Sequence, residues 1–478
     1  MAKIISNQYA LQSPFAKKLS EGQCQKLYWA CLEILERTGV TLYEQEAIDL
    51  LNNAGAEVTD GNRVRIPAGM VEKAFGTVPR NVTLYDRNRR RAMQVGGTRS
   101  YFGTGSDCPF IVDHRTGERR YALQQDIIEG MIVCDALENI DFVMCMFLPS
   151  DVPQERLDRY EMEAMLSYTT KPIVYVAPEF SGCVDVVRMA ELVAGGEDKL
   201  RYKPFAACYI NVTRGLVHNQ EALRKLLYLS EKGLPFSYIP SAQGGVTSPI
   251  TVAGTMAVNY AGVLAGLVIS QLKREGTPFI MPGWGGNMLD MASTIQPYAD
   301  PEKRGQAIDF AKYMGLPTFS LGGCSESKLV DQQAAIEAAL TLFTDALFGG
   351  NMVHDVGYLE SGLSGSLPQL AICNEIISWL EAFMKETEIN DDTLALDLID
   401  EVGPDGQYLD HPHTLKYFRD RWYPDLFERG NYNQWKAKGS KDLGQRANEK
   451  VDEILEGHKP ELLPEDMVKA LRKIVTNE

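Results

Sequence analysis

Paired cysteines are absent from this sequence: its nine cysteines, Cys24, Cys31, Cys108, Cys145, Cys208 and Cys324 among them, form no CxxC and follow no framework of close spacings. That argues against a disulfide-stapled secreted scaffold, and a reducing cytoplasm is the expected compartment. Positive charge is also in short supply. Lys and Arg total 48 against 64 Asp and Glu, and the net charge of -16 repels phosphate backbones and anionic lipid heads, so nucleic acid is not an expected partner. The stretch from Met1 to Tyr9 lacks the apolar core and small-residue cleavage site of a signal peptide, so nothing there directs export. No G-x-G-x-x-G follows an early strand at helix-opening spacing, which weighs against a dinucleotide-binding fold.

Long apolar runs are scarce too, with one exception from Pro249 to Leu272. It carries Thr251, Thr255, Asn259 and Ser270, and Ser248 followed by Pro249 makes a helix start. The run reads as a buried helix of a large enzyme, with a subunit interface as one setting for it, and not as a membrane span. A homo-oligomer is the expected assembly.

What the chain does have is repetition. Short β-rich runs ending in Gly, Pro, Ser or Asn recur eight times: Ser100 to Asp107, Asp141 to Asp151, Pro172 to Phe180, Pro204 to Asn211, Pro235 to Gln243, Pro278 to Asn287, Pro317 to Ser325 and Asn351 to Tyr358. Their first residues lie 31 to 43 positions apart, the length of a strand, a crossover helix and two loops. Helical stretches separate them. Tyr121 to Asn139 carries Leu123, Ile127, Met131 and Cys134 on one face, and Lys328 to Phe348 carries Leu329, Ile336, Leu340, Phe343 and Leu347. Eight alternations predict an α/β fold closed as a (β/α)₈ TIM barrel, with an open doubly wound sheet as the runner-up. The organisation expected is an N-terminal α+β cap over 1–99, the barrel over 100–387, and a helical extension over 388–478 packed on the barrel. In the cap, Leu19 to Arg37 and Glu44 to Ala54 read as helices, and Asn62 to Ile66 with Asn81 to Asp86 as strands.

Barrel enzymes work at the C-terminal ends of their strands, so polar and aromatic residues there are the candidates for chemistry. The first strand ends in Tyr101, Phe102 and then Gly103 to Asp107; the fourth gives Asn211 and Arg214, and the fifth Ser241 and Gln243. The sixth gives Trp284 to Asn287, the seventh Gly322 to Glu326, and the eighth His354 to Gly362. Two readings of Tyr101, Phe102, Trp284 and Tyr358 stand side by side. They fill the barrel top as ordinary core, or their faces receive a quaternary ammonium that has no N–H to donate. His354 and Asp355 suggest a base with its orienting carboxylate, but neighbours on a strand point to opposite faces and are not expected to touch. Cys324 has no second cysteine or histidine at ligand spacing, so neither a zinc site nor any tightly bound metal is expected.

Several stretches resemble the trimethylamine methyltransferase family in its non-pyrrolysine branch, whose best known members are glycine betaine methyltransferases. They are Arg63 to Pro67, Leu84 to Arg87, Lys328 to Ala334, His354 to Gly362, His413 to Leu415 and Lys441 to Leu443, with His354 to Gly362 the most specific. The resemblance implies a barrel enzyme that hands a methyl group to the cobalt(I) of a corrinoid, carried by a cognate corrinoid protein or supplied free. Trimethylamine users of that family hold a pyrrolysine near the end of the seventh strand, whereas this chain has only standard residues at Leu321 to Cys324. A quaternary amine suits that departure, because it leaves as a neutral tertiary amine without a general acid. Glycine betaine, giving dimethylglycine, is the expected substrate, with proline betaine, carnitine and butyrobetaine as alternatives. On this reading His354, Asn287 and Glu326 are the candidate catalytic residues. Tyr101, Phe102, Trp284, Tyr358, Gln243 and Asn211 would bind substrate, and Gly322, Gly323 and Cys324 would face the corrinoid.

Two other classes fit the same residues. A binding or sensor protein for betaine-like solutes needs the aromatic box without a route for a corrinoid. A metal-dependent lyase needs Asp107, Asn287, Glu326 and His354 to converge.

Overall fold

The computed structural model describes residues 4–5 and 15–477. All eight expected strands form a single parallel barrel. Seven are regular: Arg99–Phe102, Ile173–Val176, Ala206–Val212, Phe236–Pro240, Phe279–Pro282, Thr318–Leu321 and Met352–His354. The second is reduced to bridges, with Phe142 beside Gly103 and Val143 beside Ile173. The ring closes where Met352 and Val353 pair with Tyr101 and Phe102. Except for the fourth, which runs on to Val212, each strand is shorter than its sequence run because the run's last residues leave the sheet as the loop above it. Five strands begin at or just after a proline (Pro172, Pro204, Pro235, Pro278, Pro317), whose fixed backbone suits a strand start, where no ladder N–H is needed. The helices Phe180–Ala194, Gln220–Lys232 and Gln332–Phe348 each stop at a left-handed glycine, Gly195, Gly233 and Gly349, which turns the chain back toward the sheet.

Side chains alternate between two cores. Phe102, Tyr175, Cys208, Phe236, Tyr238 and Phe279 point outward under the helices, while Tyr101, Phe142, Val174, Ala207, Ile239 and Met352 point into the barrel. The barrel's N-terminal end is filled by a hairpin, Val82–Tyr85 with Arg91–Val95, that drives Val82, Leu84, Met93 and Val95 into this inner core. Tyr101 belongs to that floor, where its Oη accepts the Gln94 N–H at 2.8 Å. Truncating Leu84 to alanine should therefore lower unfolding free energy by about 2–5 kcal/mol, read by denaturant titration.

The apolar run forms the helix Val252–Lys273 and is covered within the chain. Gly262 lies against the Gly215 carbonyl and Gly266 against the Tyr238 ring, positions where a Cβ would have 1.8 Å and 2.3 Å to its neighbour. Its other side is covered by the N-terminal helices Glu21–Glu33, Gln45–Asn53 and Ala68–Thr77. At the far end of the chain, Leu443–Gly457 packs on Leu367–Met384 and Gln124–Ala136, and Glu465–Thr476 packs on Leu157–Tyr168.

One sequence expectation fails here. The stripe Leu329, Ile336, Leu340 faces solvent, and the helix Gln332–Phe348 buries Ala334, Ala338, Leu342, Ala346 and Phe348 instead. Small residues sit against the barrel because the helix packs closely on the seventh strand: a Cβ on Gly322 would meet the Thr341 backbone at 3.5 Å. The larger side chains are left outside.

Candidate active site

The C-terminal mouth of the barrel encloses a cavity of about 260 Å³ lined by Ser106, Asp107, Tyr209, Asn211, Ser241, Trp284, Asn287, Gln296, Tyr298, Leu321, His354, Asp355, Tyr358 and Gly362. Tyr209, Asn211, Leu321 and His354 reach it from within their strands, and the other lining residues come from the loops beyond the strand ends. Trp284 follows the sixth strand on a loop that lies close to its neighbours: a Cβ on Gly283 would sit 2.6 Å from Ser320, and one on Gly285 2.2 Å from Met256. Tyr209 and Trp284 stack with ring centroids 6.4 Å apart and planes at 17°, and His354 lies 5.6 Å from Trp284 and 4.2 Å from Phe319.

Two carboxyls share this cavity, and both sit where the backbone is strained. Asp107 has φ of 78° and Asp355 of 74°, left-handed conformations that aspartate tolerates better than most residues and that the surrounding structure must hold in place. The turn at Asp355 brings its side chain back into the barrel, so His354 Nε2 and Asp355 Oδ1 lie 3.4 Å apart. The expectation that these neighbours would not touch is thus corrected. Strand alternation stops at His354, and a left-handed residue reverses the side-chain direction.

His354 Nδ1 lies 2.6 Å from the Ser320 carbonyl, which fixes that nitrogen as the protonated one and leaves Nε2 as an acceptor toward Asp355. Burial pushes the imidazole down to about 3, so it is neutral at physiological pH. Burial pushes Asp107 up to about 6. Burial, reinforced by the charge of Asp107, raises Asp355 well above the usual carboxylate range, and Arg304 opposes the shift. Burial in the empty cavity therefore shifts both acids toward their protonated forms, while a cation within it would favour their ionised forms. The Tyr358 hydroxyl donates to the Ser106 carbonyl, holding the loops after the first and eighth strands together.

Of the residues singled out from sequence, Asp107, Asn211, Ser241, Trp284, Asn287, His354, Asp355 and Tyr358 meet in this cavity. Others do not. Tyr101 lies on the barrel floor and Phe102 faces outward, because the first strand carries its mouth residues farther along, at Ser106 and Asp107. Gln243 pairs with Asn287 in a short ladder between the fifth and sixth loops and is not among the lining residues. Glu326 Oε1 accepts the backbone N–H groups of Tyr298 at 2.6 Å and Ala299 at 2.9 Å, so it anchors the loop that carries Tyr298. The set Asp107, Asn287, Glu326 and His354 accordingly does not converge.

Gly322, Gly323 and Cys324 also miss the cavity. The chain turns under the helix Gln332–Phe348 after Leu321, and the Gly323 N–H reaches Thr341 Oγ1 at 2.9 Å. Gly322 then lies against Val353 and Gly323 against Val356. Cys324 is buried, and that burial pushes its thiol up to about 12. Within the window from Leu321 to Cys324, Leu321 alone lines the cavity.

Sequence reasoning missed Tyr209, Tyr298 and Gln296. Tyr209 was accessible to it, since it stands two residues before Asn211 on one strand and so shares its face. Tyr298 and Gln296 come from an irregular loop that has no period to read.

The family model described as trimethylamine methyltransferase matches residues 2–478. The chain is 32% identical over 460 residues to the trimethylamine methyltransferase MttB of Desulfitobacterium hafniense (strain DSM 10664 / DCB-2), covering 95% of this chain and 92% of that protein. It is 29% identical over 463 residues to the glycine betaine methyltransferase of Desulfitobacterium hafniense (strain Y51), covering 96% of each. Among solved structures, the monomethylamine methyltransferase MtmB of Methanosarcina barkeri superimposes with a TM-score of 0.50 at 13% identity, over 94% of this chain and 90% of that one, which is a likeness of fold. A match that runs nearly end to end, on a barrel whose mouth holds the residues described, establishes that this chain belongs to the trimethylamine methyltransferase family.

Proposed function

We propose that the chain transfers a methyl group from a quaternary amine, glycine betaine first among them, to the cobalt(I) of a corrinoid. The observation that carries this reading is the cavity itself, in which Tyr209, Trp284, Tyr298 and Tyr358 lie beside two carboxyls. Aromatic faces and carboxylates suit a trimethylammonium group, which has a diffuse positive charge and no N–H. Ser241, Asn211 and Asn287 supply hydrogen-bond donors suited to a carboxylate at the other end of the substrate.

At about 260 Å³ the cavity suits a small amine and excludes a macrocycle, so a corrinoid would have to be offered from outside, at the mouth. When bound there, the corrinoid supplies a cobalt(I) nucleophile. The chain's own contribution is placement. The rings fix one N-methyl toward the mouth, and the carboxyls of Asp107 and Asp355 balance the cation. The closed floor keeps bulk water away. His354, neutral and held by Ser320, serves as a polarisable wall beside Trp284 and Phe319. No group has to protonate the leaving tertiary amine. Leu321, the cavity residue of the seventh-strand window, is apolar and offers nothing to activate trimethylamine, whose unprotonated form is a poor methyl donor.

Mixing the protein with cob(I)alamin and a panel of quaternary amines should give methylcobalamin with glycine betaine and none with trimethylamine, followed by the visible spectrum. Replacing Trp284 with leucine or Tyr358 with leucine should weaken substrate binding by about 0.5–2 kcal/mol. Brisk turnover of trimethylamine by the parent, or unchanged betaine binding in both variants, would refute the assignment.

A further inference from the structure

Tyr298 is the cavity ring with the least regular support. It stands in a connection, residues 289–305, that contains no helix or strand and whose residues 290–295 are exposed. A loop of that length has many conformations open to it. Charged side chains nevertheless grip it peptide by peptide where it reaches the cavity. Lys303 Nζ donates to the Pro297 carbonyl at 2.8 Å, Glu326 accepts the Tyr298 and Ala299 N–H groups, and Arg304 donates to the Tyr298 carbonyl.

Arg304 does more than close this loop. Its other terminal nitrogen donates to the carbonyl of Leu321, a cavity residue in register with His354 on the next strand and so one step from Asp355. One planar fork thus fixes two cavity residues that come from different parts of the chain. Its charge is also incompletely cancelled. The hydrogen-bond partners are neutral carbonyls and the Cys324 thiol at 3.9 Å, and no partner meets Nε. The paired carboxyl, Asp345, stands 3.7 Å away and is pushed up to about 6 by burial, so it loses its own charge below that pH. A buried charge in that position is little screened by water.

Two charges act on Asp355: repulsion from Asp107 and attraction from Arg304. The other titratable groups near it, His354, Cys108, Cys324, Tyr209, Tyr298 and Tyr358, are neutral at physiological pH. We propose that Arg304 is a positioning residue of this site, whose fork sets Tyr298 and Leu321 against the substrate and whose charge stabilises the Asp355 carboxylate that meets the substrate's cation. The role rests on the quaternary-amine reading of the cavity, and it assigns to a side chain outside the lining the task of holding the site ready.

Infrared titration of the empty protein, with the protonated-carboxyl band of Asp355 identified by its loss in Asp355→Asn, reads the charge directly. In Arg304→Met the Asp355 midpoint should move up by about one pH unit or more. In Arg304→Lys it should stay near the parent's. Amide exchange over 296–300 should quicken in both variants, because an ammonium has no fork to hold two carbonyls at once. Glycine betaine binding by Arg304→Met should be about tenfold weaker at pH 6 for each unit of that shift, and should recover as pH rises, which a merely loosened fold would not do. An unchanged Asp355 midpoint in folded Arg304→Met overturns the proposal. So does exchange over 296–300 no faster than the parent's in Arg304→Lys, the variant that decides if Arg304→Met does not fold. The midpoint and the exchange are read on the empty protein, so a parent that binds no quaternary amine counts against the amine reading and leaves these two results to stand on their own.

Discussion

Substituting Asp355 with asparagine should weaken glycine betaine binding by about 30-fold or more while leaving the empty protein as stable as the parent or more so. Truncating one partner of a buried charge pair costs about 2–5 kcal/mol, and the lower figure corresponds to that factor. The stability effect has the opposite sign because burial and Asp107 raise the Asp355 carboxyl from its ordinary value of 3.8. A raised carboxyl binds more protons folded than unfolded, so parent stability declines as pH climbs from about 3.8 toward the raised value. The asparagine variant lacks that decline. Affinity runs the other way, since a bound cation favours the ionised acids and binding should release protons. For Asp107, raised to about 6, the release falls off above that pH. Calorimetry in two buffers of different ionisation enthalpy measures both quantities. Equal affinities, with no proton release in either protein, would remove Asp355 from the site.

A single methyl group at Gly105 should be nearly as damaging. A Cβ there would lie 2.1 Å from Asp355 Oδ1 and 2.6 Å from the Tyr358 ring, and neither neighbour is free to retreat. Tyr358 is anchored to Ser106, and Asp355 Oδ1 is backed by His354 Nε2 at 3.4 Å. Overpacking of this kind costs about 1–3 kcal/mol of stability. A displacement of about 1 Å in a site that works by placement costs about 100-fold in rate. Gly105→Ala is therefore expected to keep its fold and lose about two orders of magnitude in betaine turnover. Gly22→Ala, where nothing lies within 4 Å of the added Cβ, should behave as the parent. Normal turnover by Gly105→Ala would show that the Asp355 and Tyr358 positions are not critical.

The barrel was legible because its strands are short, β-rich and regularly spaced, and their proline starts and glycine stops are local signals. Those strands also put Asn211, Trp284 and His354 at the mouth, where proximity to a strand end was a sufficient guide. Reading failed where the backbone departs from alternation. Alternation puts Asp355 on the wrong face because its left-handed turn leaves no trace in a period of two. The run Ser100 to Asp107 reads as one strand and so brings Tyr101 and Phe102 toward the mouth, whereas the strand ends at Phe102. Glu326 looks like an acid at a strand end, and only the three-dimensional path of residues 298–299 shows that it is already engaged. The stripe on Gln332–Phe348 was read as core because helical spacing gives a face and not which side the barrel is on.

The hairpin from Val82 to Val95 has a consequence for kinetics. Because it stoppers the barrel at the end opposite the cavity, the described residues close that end to traffic and leave the C-terminal mouth as the way in. Donor, acceptor and demethylated product must then use the same doorway in turn. The amine has to enter before the acceptor covers the opening, and the product has to wait until the acceptor withdraws. An ordered sequence follows, amine first on and amine last off, with product inhibition competitive toward the amine.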